Sequence, residues 1–377
     1  MPAVVESTQK SAHGAWIEIR VDRLLSNLKA LRTHAGPRTE VMAVVKANAY
    51  GHGLLGIARA LGPEVRFLGV SSTAEARELR GHGIETPLFL FGCLPDEELR
   101  PVLQPGITLS VSGFDEAQRI AAASQPLERK TPVHVKVDTG MGRLGIPCRE
   151  AFREIEKMAA LGGISLDGIY THFPAAEAED GSSERQLYDF GLLLQALDAK
   201  AIRFRFVHAS NSAASLRLKS PFLNLIRPGL MLYGLYPADS LRREIRLAPV
   251  LSLKSRIILL KTLRPGESVG YGRTFVAARL STIAVLPVGY SHGYPFSASN
   301  RASVLYRGRR YPIAGRVSMD YVCVDLGDTA AAAGDEVTLL GGDGLDAIGA
   351  EELAQWADTI PYEIVTRLAS RLPRVYL

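Results

Sequence analysis

The sequence predicts an α/β protein: a closed parallel (β/α)8 barrel over residues 1–247, followed by a mainly antiparallel β domain over residues 248–377. Three observations lead there. From about residue 41 short apolar runs alternate with amphipathic stretches, and eight such runs occur in succession. The runs are apolar throughout rather than at every second position, as strands covered on both faces must be. After Leu247 the helical stretches give way to strands joined by Pro- and Gly-containing turns.

The opening segment "AWIEIRVDRLLSNLKALR" reads as a strand and a helix, and its strand could serve either part. The eight barrel runs are "VMAVVK", "RFLGVS", "PLFLFG", "ITLSVS", "VHVKVD", "LDGIYTHF", "FRFVHAS" and "LNLIRPG". The helical stretches between them carry starting signals, with Ser72 or Thr73 ahead of Glu75 and Asp115 ahead of Glu116. In the second part "LSLKSRIILLKTL", "STIAVLPVGY", "SVLYRGRRYPIAG", "RVSMDYVCVDLG" and "DEVTLLGG" read as strands. The tail reads as helix, Pro361, helix.

Bulk properties exclude several function classes. Hydrophobic residues make up 47% and charged residues 22%, the balance of a globular protein. The formal charge is +5 without a long basic run, and the strongest basic cluster, "YRGRRYP", reads as a solvated hairpin face, so nucleic acid is not an expected partner. The first residues lack the apolar core of a signal peptide, and no segment approaches the ~18 apolar residues of a membrane span. Cys93, Cys148 and Cys323 are scattered and odd in number. They suggest no metal knuckle and no disulfide framework, and point to a reducing, cytoplasmic setting.

In such a barrel chemistry sits at the C-terminal ends of the strands. Strand one ends in Lys46, strand six in His172, strand seven in His208 and strand eight in Arg227. Strand five alternates valines with His134, Lys136 and Asp138, with Arg143 just beyond. If the valines face the helices, the polar residues face the barrel interior. Singly, each has an ordinary reading: a lysine snorkels to water, a histidine is bonded in the core, and "SNSAAS" from Ser210 caps a helix. Jointly, cations and imidazoles converging on one rim require an anion or a modified group among them.

A lysine in a low-dielectric pocket loses its proton readily and can condense with an aldehyde. Pyridoxal phosphate is such an aldehyde and brings a phosphate dianion. Backbone N–H groups after "HASNS", the Ser212 hydroxyl and the amides near Gly229 and Leu230 would cradle that phosphate, with Tyr50 and Tyr362 as phenolic donors. Neither "GHG" nor "GMGRLG" has the spacing or context of a dinucleotide or Walker-type loop.

At this point the sequence resembles a known family. "AVVKANAYGHG" is similar to the cofactor-lysine signature of alanine racemases, and "VKVDTGMGRLG", "THF", "HASNSAAS", "RPGLMLYG", "VGYGRTF", "PVGY", "GRVSMD" and "PYE" follow in family order. The resemblance spans nearly the whole chain. It implies a cofactor-binding barrel followed by a β domain, working as a head-to-tail homodimer with shared active sites and supplying D-alanine for peptidoglycan.

Carried over, Lys46 would hold pyridoxal phosphate and act as one acid/base group, and Tyr271, from the partner chain, as the other. Racemisation needs both, because a proton leaves one face of Cα and returns to the opposite face. Arg227 would meet the pyridine nitrogen, and His172 would link Arg227 to Tyr271. Arg143 would meet the cofactor's phenolate and the substrate carboxylate, aided by the Met319 amide of the partner. Lys136 matches a lysine that the family often carries as a carbamate. The resemblance places Tyr290, His292, Phe296, Glu177 and Asp320 at the substrate entrance. This chain departs from the family pattern there: His292 stands at an Asp position, Phe296 at an Arg position and Glu177 at an Asp position. Ser318, ahead of Met319, stands where many relatives have Cys.

Alternative readings keep the chemistry but move the substrate to serine or a broader range of amino acids. A related decarboxylase design does not explain "GYGRTF" and "GRVSMD" together. A non-enzymatic cofactor-carrying barrel does not account for the second domain.

Overall fold

The computed structural model describes residues 14–342 and 346–377; the reading of the first residues as lacking a leader's apolar core lies outside them. Eight parallel strands form the barrel: Glu40–Val44, Phe67–Val70, Leu88–Leu90, Ile107–Val111, Thr131–Asp138, Ile164–Tyr170, Phe206–His208 and Leu225–Ile226. The last strand pairs with the first, and Asn224 N donating to Val207 O at 3.1 Å closes the ring. All eight fall on the predicted runs, with Glu40–Val44, Thr131–Asp138 and Ile164–Tyr170 each starting one or two residues earlier.

Strand five shows the expected alternation. Val133, Val135 and Val137 join the large apolar cluster between barrel and helices, while His134 lies among the interior rings of Phe67, Phe89 and Phe206. Asp138 stops short of the interior. Its carboxylate, at the mouth, accepts from Gly140 N and Gly142 N and shapes the loop that carries Arg143. The barrel interior is aromatic, built from Met42, Phe67, Phe89, Tyr170, Phe206 and Leu225.

Helix starts follow local chemistry. Ser72 Oγ accepts from Glu75 N at 3.2 Å, as its position suggests. Asp115 does not cap its helix: Gly113 is the N-cap, Asp115 sits in the first turn, and Glu116 accepts from Ser112 N at 2.7 Å.

The C-terminal part is mostly antiparallel. A six-stranded sheet runs Arg309–Pro312, Ser303–Tyr306, Glu336–Leu340, Leu251–Arg256, Ala15–Ile19, Arg374–Tyr376. The opening strand therefore lies inside this sheet, antiparallel to Leu251–Arg256 and parallel to Arg374–Tyr376. "LSLKSRIILLKTL" is two strands, because Ile257 N and Ile258 N turn to Asp335 O and Val285 O at a corner. Its second half, Leu259–Leu263, joins a separate sheet with Ser281–Leu286 and Val322–Gly327. "RVSMDYVCVDLG" is a strand only from Val322; Ser318 N bonds Tyr321 O, so Met319 rides a loop. The "YRGRRYP" cluster is the hairpin turn expected, with Arg310 paired to Glu352 at 2.6 Å. Among the described residues no helix is long and apolar enough to cross a membrane.

Candidate active site

The first barrel strand runs into Lys46, and the chain then makes a left-handed helical turn. Ala47, Asn48, Ala49 and Tyr50 have φ of 54°, 54°, 51° and 53°. Each such residue costs about 1–2 kcal/mol, and non-glycine residues seldom adopt this conformation consecutively. Hydrogen bonds hold the turn: Ala49 N to Val45 O at 2.8 Å, Gly51 N to Ala47 O at 3.1 Å and Leu54 N to Asn48 Oδ1 at 2.7 Å. Lys46 and Tyr50 thereby both line a cavity of about 520 Å³ at the C-terminal mouth of the barrel.

The same cavity receives Lys136, Arg143, His172 and Arg227 from other strand ends, and Glu177 from the loop after strand six. Burial, reinforced by the Arg143 charge, lowers the pKa of Lys46. The same two effects, with the Arg227 charge, push Lys136 down to about 8. His172 falls to about 3 through burial and the charges of Arg227, Lys136 and Arg143, so it is neutral.

Arg227 is fully enclosed and organises what lies beneath. Its Nη1 donates to His208 Nδ1 at 2.8 Å, and Nη2 to Thr171 O, Ala209 O and, at 3.3 Å, His172 Nδ1. A guanidinium only donates, so both imidazoles accept at Nδ1 and carry their proton on Nε2. His208 Nε2–H then donates to His134 Nδ1 at 2.8 Å. The sequence placed His208 with the rim groups; it lies below them, stacked on Tyr170 at 4.8 Å and 4°. Burial holds His134 at about 3 and His52 at about 4, against an ordinary 6.5. Below pH 6.5 the unfolded chain therefore takes up protons that the folded chain refuses. The stability from neutral burial is complete above 6.5 and is lost as pH falls towards these values, at up to about 1.4 kcal/mol per pH unit for each histidine. Urea midpoints measured from about pH 7 to about pH 4 should fall steadily; a flat profile would exclude neutral burial.

A cluster of neutral polar groups lines the same cavity. Ser212 Oγ accepts from Gly229 N at 3.0 Å and Met231 N at 3.4 Å, and Leu230 lines the cavity beside them. The helix expected after "HASNS" is a single turn, Ala214–Arg217, capped by Asn211 Oδ1 on Ala214 N. The cradle therefore consists of individual groups rather than a long helix terminus. The Tyr50 ring packs 5.1 Å from that of Tyr233 and 6.3 Å from that of Tyr362. A Cβ on Gly229 would overlap Tyr50 Oη. Gly229→Ala should displace this phenol and weaken pyridoxal phosphate binding about tenfold, while costing about 1–3 kcal/mol of stability. Titrating apoprotein with the cofactor measures the first effect; unchanged affinity would remove Tyr50 from the cradle.

Tyr271 and Met319 do not line the cavity of their own chain; they are 72% and 55% exposed on the C-terminal part. Tyr290 and Phe296 form an exposed ring pair 6.3 Å apart. His292 Nδ1 accepts from Gly289 N at 3.2 Å, and Asp320 accepts from Ser291 Oγ at 2.7 Å and faces Arg371 at 3.5 Å. Of the five proposed entrance residues, only Glu177 lines the cavity within the chain.

Sequence reasoning missed three contributors. Glu75 accepts from Ser71 N and, at 3.4 Å, Asn48 N, placing a carboxylate under the Lys46 turn. Tyr233 donates to Val44 O at 3.0 Å. Tyr170 bonds Ser110 Oγ at 2.8 Å, with Lys136 Nζ over its ring at 5.8 Å. Tyr170 and Tyr233 fell inside quoted motifs, where an aromatic in an apolar run carries no separate signal.

Comparisons with known proteins agree over the whole fold. Residues 19–237 match a family model described as the alanine racemase N-terminal domain, and residues 250–376 the C-terminal domain. The chain is 41% identical over 367 residues to an alanine racemase of Desulforamulus reducens, covering 96% of this chain and 98% of that one. It is 43% identical over 347 residues to an alanine racemase of Geobacter sulfurreducens, covering 89% and 90%. A solved alanine racemase structure from Clostridium difficile 630 superposes with a TM-score of 0.93 at 34% identity, covering 97% and 96%.

Proposed function

The chain belongs to the alanine racemase family and is an enzyme that racemises alanine; on that premise we propose that it does so with pyridoxal phosphate held by Lys46, and with Tyr271 of the partner subunit as the second proton-carrying group. The observation that carries this reading is charge. Lys46, Lys136, Arg143 and Arg227 line one cavity against the carboxylate of Glu177. Basic groups so enclosed repel one another unless an anion joins them. A phosphate-bearing aldehyde supplies the anion and uses the amine. The donors fit it: Tyr50, Tyr362, Ser212 and the amides of Gly229 and Leu230 would hold the phosphate, and Arg227 would face the ring nitrogen.

When bound, the cofactor withdraws electron density from the substrate Cα, which makes its proton removable. Lys46, its pKa lowered by burial, takes or returns that proton on one face. The phenols of the same cavity stay protonated: burial raises Tyr50 and puts Tyr170 and Tyr362 at about 12. They donate hydrogen bonds and leave the opposite face without a base. Tyr271, Val276, Met319 and Tyr321 are all exposed on the C-terminal part, residues of the kind that a second copy covers. Head-to-tail pairing would bring Tyr271 of the partner subunit to the Nε2–H of His172, which would tune its phenol. Arg227 keeps its own proton and would give none to the ring nitrogen it faces, which would disfavour side reactions.

Arg143 and the amide of Met319 of the partner subunit would hold the substrate carboxylate. Glu177 would form the entrance with the partner's Tyr290, His292, Phe296 and Asp320. Lys136 is largely neutral above pH 8; its amine plus CO2 would give a carbamate and a proton, and the carbamate would neutralise Arg143. An intact mass taken at neutral pH in bicarbonate, or high-resolution density, should show the added CO2, and an unmodified amine there would refute the carbamate. We divide the two parts at 247/248, just ahead of the strand Leu251–Arg256. We assign the product to peptidoglycan synthesis in the cytoplasm, where the free thiols of Cys93, Cys148 and Cys323 would stay reduced.

The test is L-alanine with cofactor-loaded protein in heavy water, following optical activity and α-deuterium together. Loss of optical activity, with deuterium in both enantiomers, is expected. Deuterium entering L-alanine without racemisation would overturn the second base.

A further inference from the structure

The C-terminal residues reach back to the turn that carries Lys46. Arg374 grips the Gly51 carbonyl with Nη2 at 2.9 Å and Nε at 3.3 Å. Its remaining donors go to the carbonyls of Leu368, Ala369, Ser370 and Leu372. Tyr376 places its hydroxyl 3.2 Å from His52 O and 3.3 Å from Gly53 O. Three successive carbonyls following the left-handed turn are therefore held by two side chains over 320 residues away in sequence.

The glycines of "GHGLLG" fit the same contact. A Cβ on Gly51 would overlap Val365 O, and one on Gly53 or Gly56 would overlap the Tyr376 phenol. This spacing is thus the imprint of the tail on the loop. The tail is anchored in turn: Arg374–Tyr376 pairs with Ala15–Ile19, and Val21 N bonds Leu377 O. An isolated turn of four residues at positive φ would relax, because L-residues resist that conformation. Arg374 is half-buried yet, among the described residues, hydrogen-bonds to carbonyls, so its donors act on backbone geometry.

We propose that Arg374 and Tyr376 are positioning residues of the active site: they clamp the Lys46–Tyr50 turn, and through it aim the Lys46 amine and the Tyr50 phenol at the cofactor. This rests on the cofactor reading above. Neither residue lines the cavity, and both act through the carbonyls of residues 51–53.

The test compares wild type, Tyr376→Phe, Arg374→Met and Arg374→Lys. Apoprotein is titrated with pyridoxal phosphate, kcat and KM for alanine are measured, and the pH at which the bound cofactor's visible band titrates is recorded. Tyr376→Phe keeps the ring and loses only the donor, so it decides the matter if Arg374→Met does not fold. Both should bind the cofactor about three- to thirtyfold more weakly, a range set by one or two lost hydrogen bonds. The band's titration midpoint should move and kcat should fall, with KM changing less. Arg374→Lys, with a single donor head, should recover part of the loss. Wild-type affinity, midpoint and kcat in Tyr376→Phe and Arg374→Met would overturn the clamp. Weaker affinity matched by a falling melting temperature, with midpoint and kcat unchanged, would also overturn it in favour of general stability. A wild-type protein that binds no pyridoxal phosphate would instead sink the cofactor reading.

Discussion

Replacing Lys46 with alanine is expected to lower kcat for alanine racemisation by at least about a thousandfold, because the proposed anchor and acid/base group would disappear together. Fold stability should hold or improve, since Lys46 is half-buried near Arg143 and its ammonium form is disfavoured there. The chain should still take up pyridoxal phosphate through the cradle around Ser212, Gly229 and Tyr50, but without the yellow colour that covalent attachment gives. Added methylamine should restore part of the turnover, since a free amine can take the vacated position. An active Lys46→Ala protein without added amine would remove Lys46 from the chemistry.

The second large effect concerns Tyr271. Tyr271→Phe should keep the cofactor, its colour and the melting temperature, because the side chain is exposed and makes no contact in its own cavity. Turnover should nonetheless fall by about a hundred- to ten-thousandfold. The two inactive proteins offer a sharper check. In a symmetric dimer with shared sites, a Lys46→Ala chain paired with a Tyr271→Phe chain has one site with both defects and one with none. Mixing equal amounts under exchange should therefore restore about a quarter of wild-type activity, half of the dimers being mixed and each having one sound site. Mixtures that stay inactive after exchange would place both groups in the same chain's site, and an active Tyr271→Phe protein on its own would remove Tyr271 from the mechanism.

Much of this was legible in the sequence for a definite reason. Parallel strands covered on both faces read as unbroken apolar runs, so a lysine, histidine or arginine at the end of one stands out, as Lys46, His172 and Arg227 do. What escaped depends on distance or on conformation. The His134–His208 bond joins residues 74 apart, and the sequence shows two histidines but not their stacking order. Of the left-handed turn, only Asn48 tolerates positive φ well; nothing in the residue types of Ala47, Ala49 and Tyr50 announces it. The corner in "LSLKSRIILLKTL" has no glycine or proline to announce it, and its cause is Asp335 and Val285. Asp115 had the right residue type for a cap but stood two residues past the N-cap, Gly113.

The placement of Ala15–Ile19 has a consequence for synthesis. This strand is made first, yet its neighbours are Leu251–Arg256 and Arg374–Tyr376. At about 5–20 residues per second, a ribosome needs on the order of tens of seconds to deliver the first neighbour and longer for the second. Throughout that interval "AWIEI" has both edges open, and its side chains are almost wholly buried in the finished sheet. The barrel can close meanwhile, but the first strand waits for nearly the last residues of the chain. A translation pause or truncation near the C-terminus would thus expose a sticky edge at the opposite end of the polypeptide, so premature termination should yield insoluble chains rather than a free barrel.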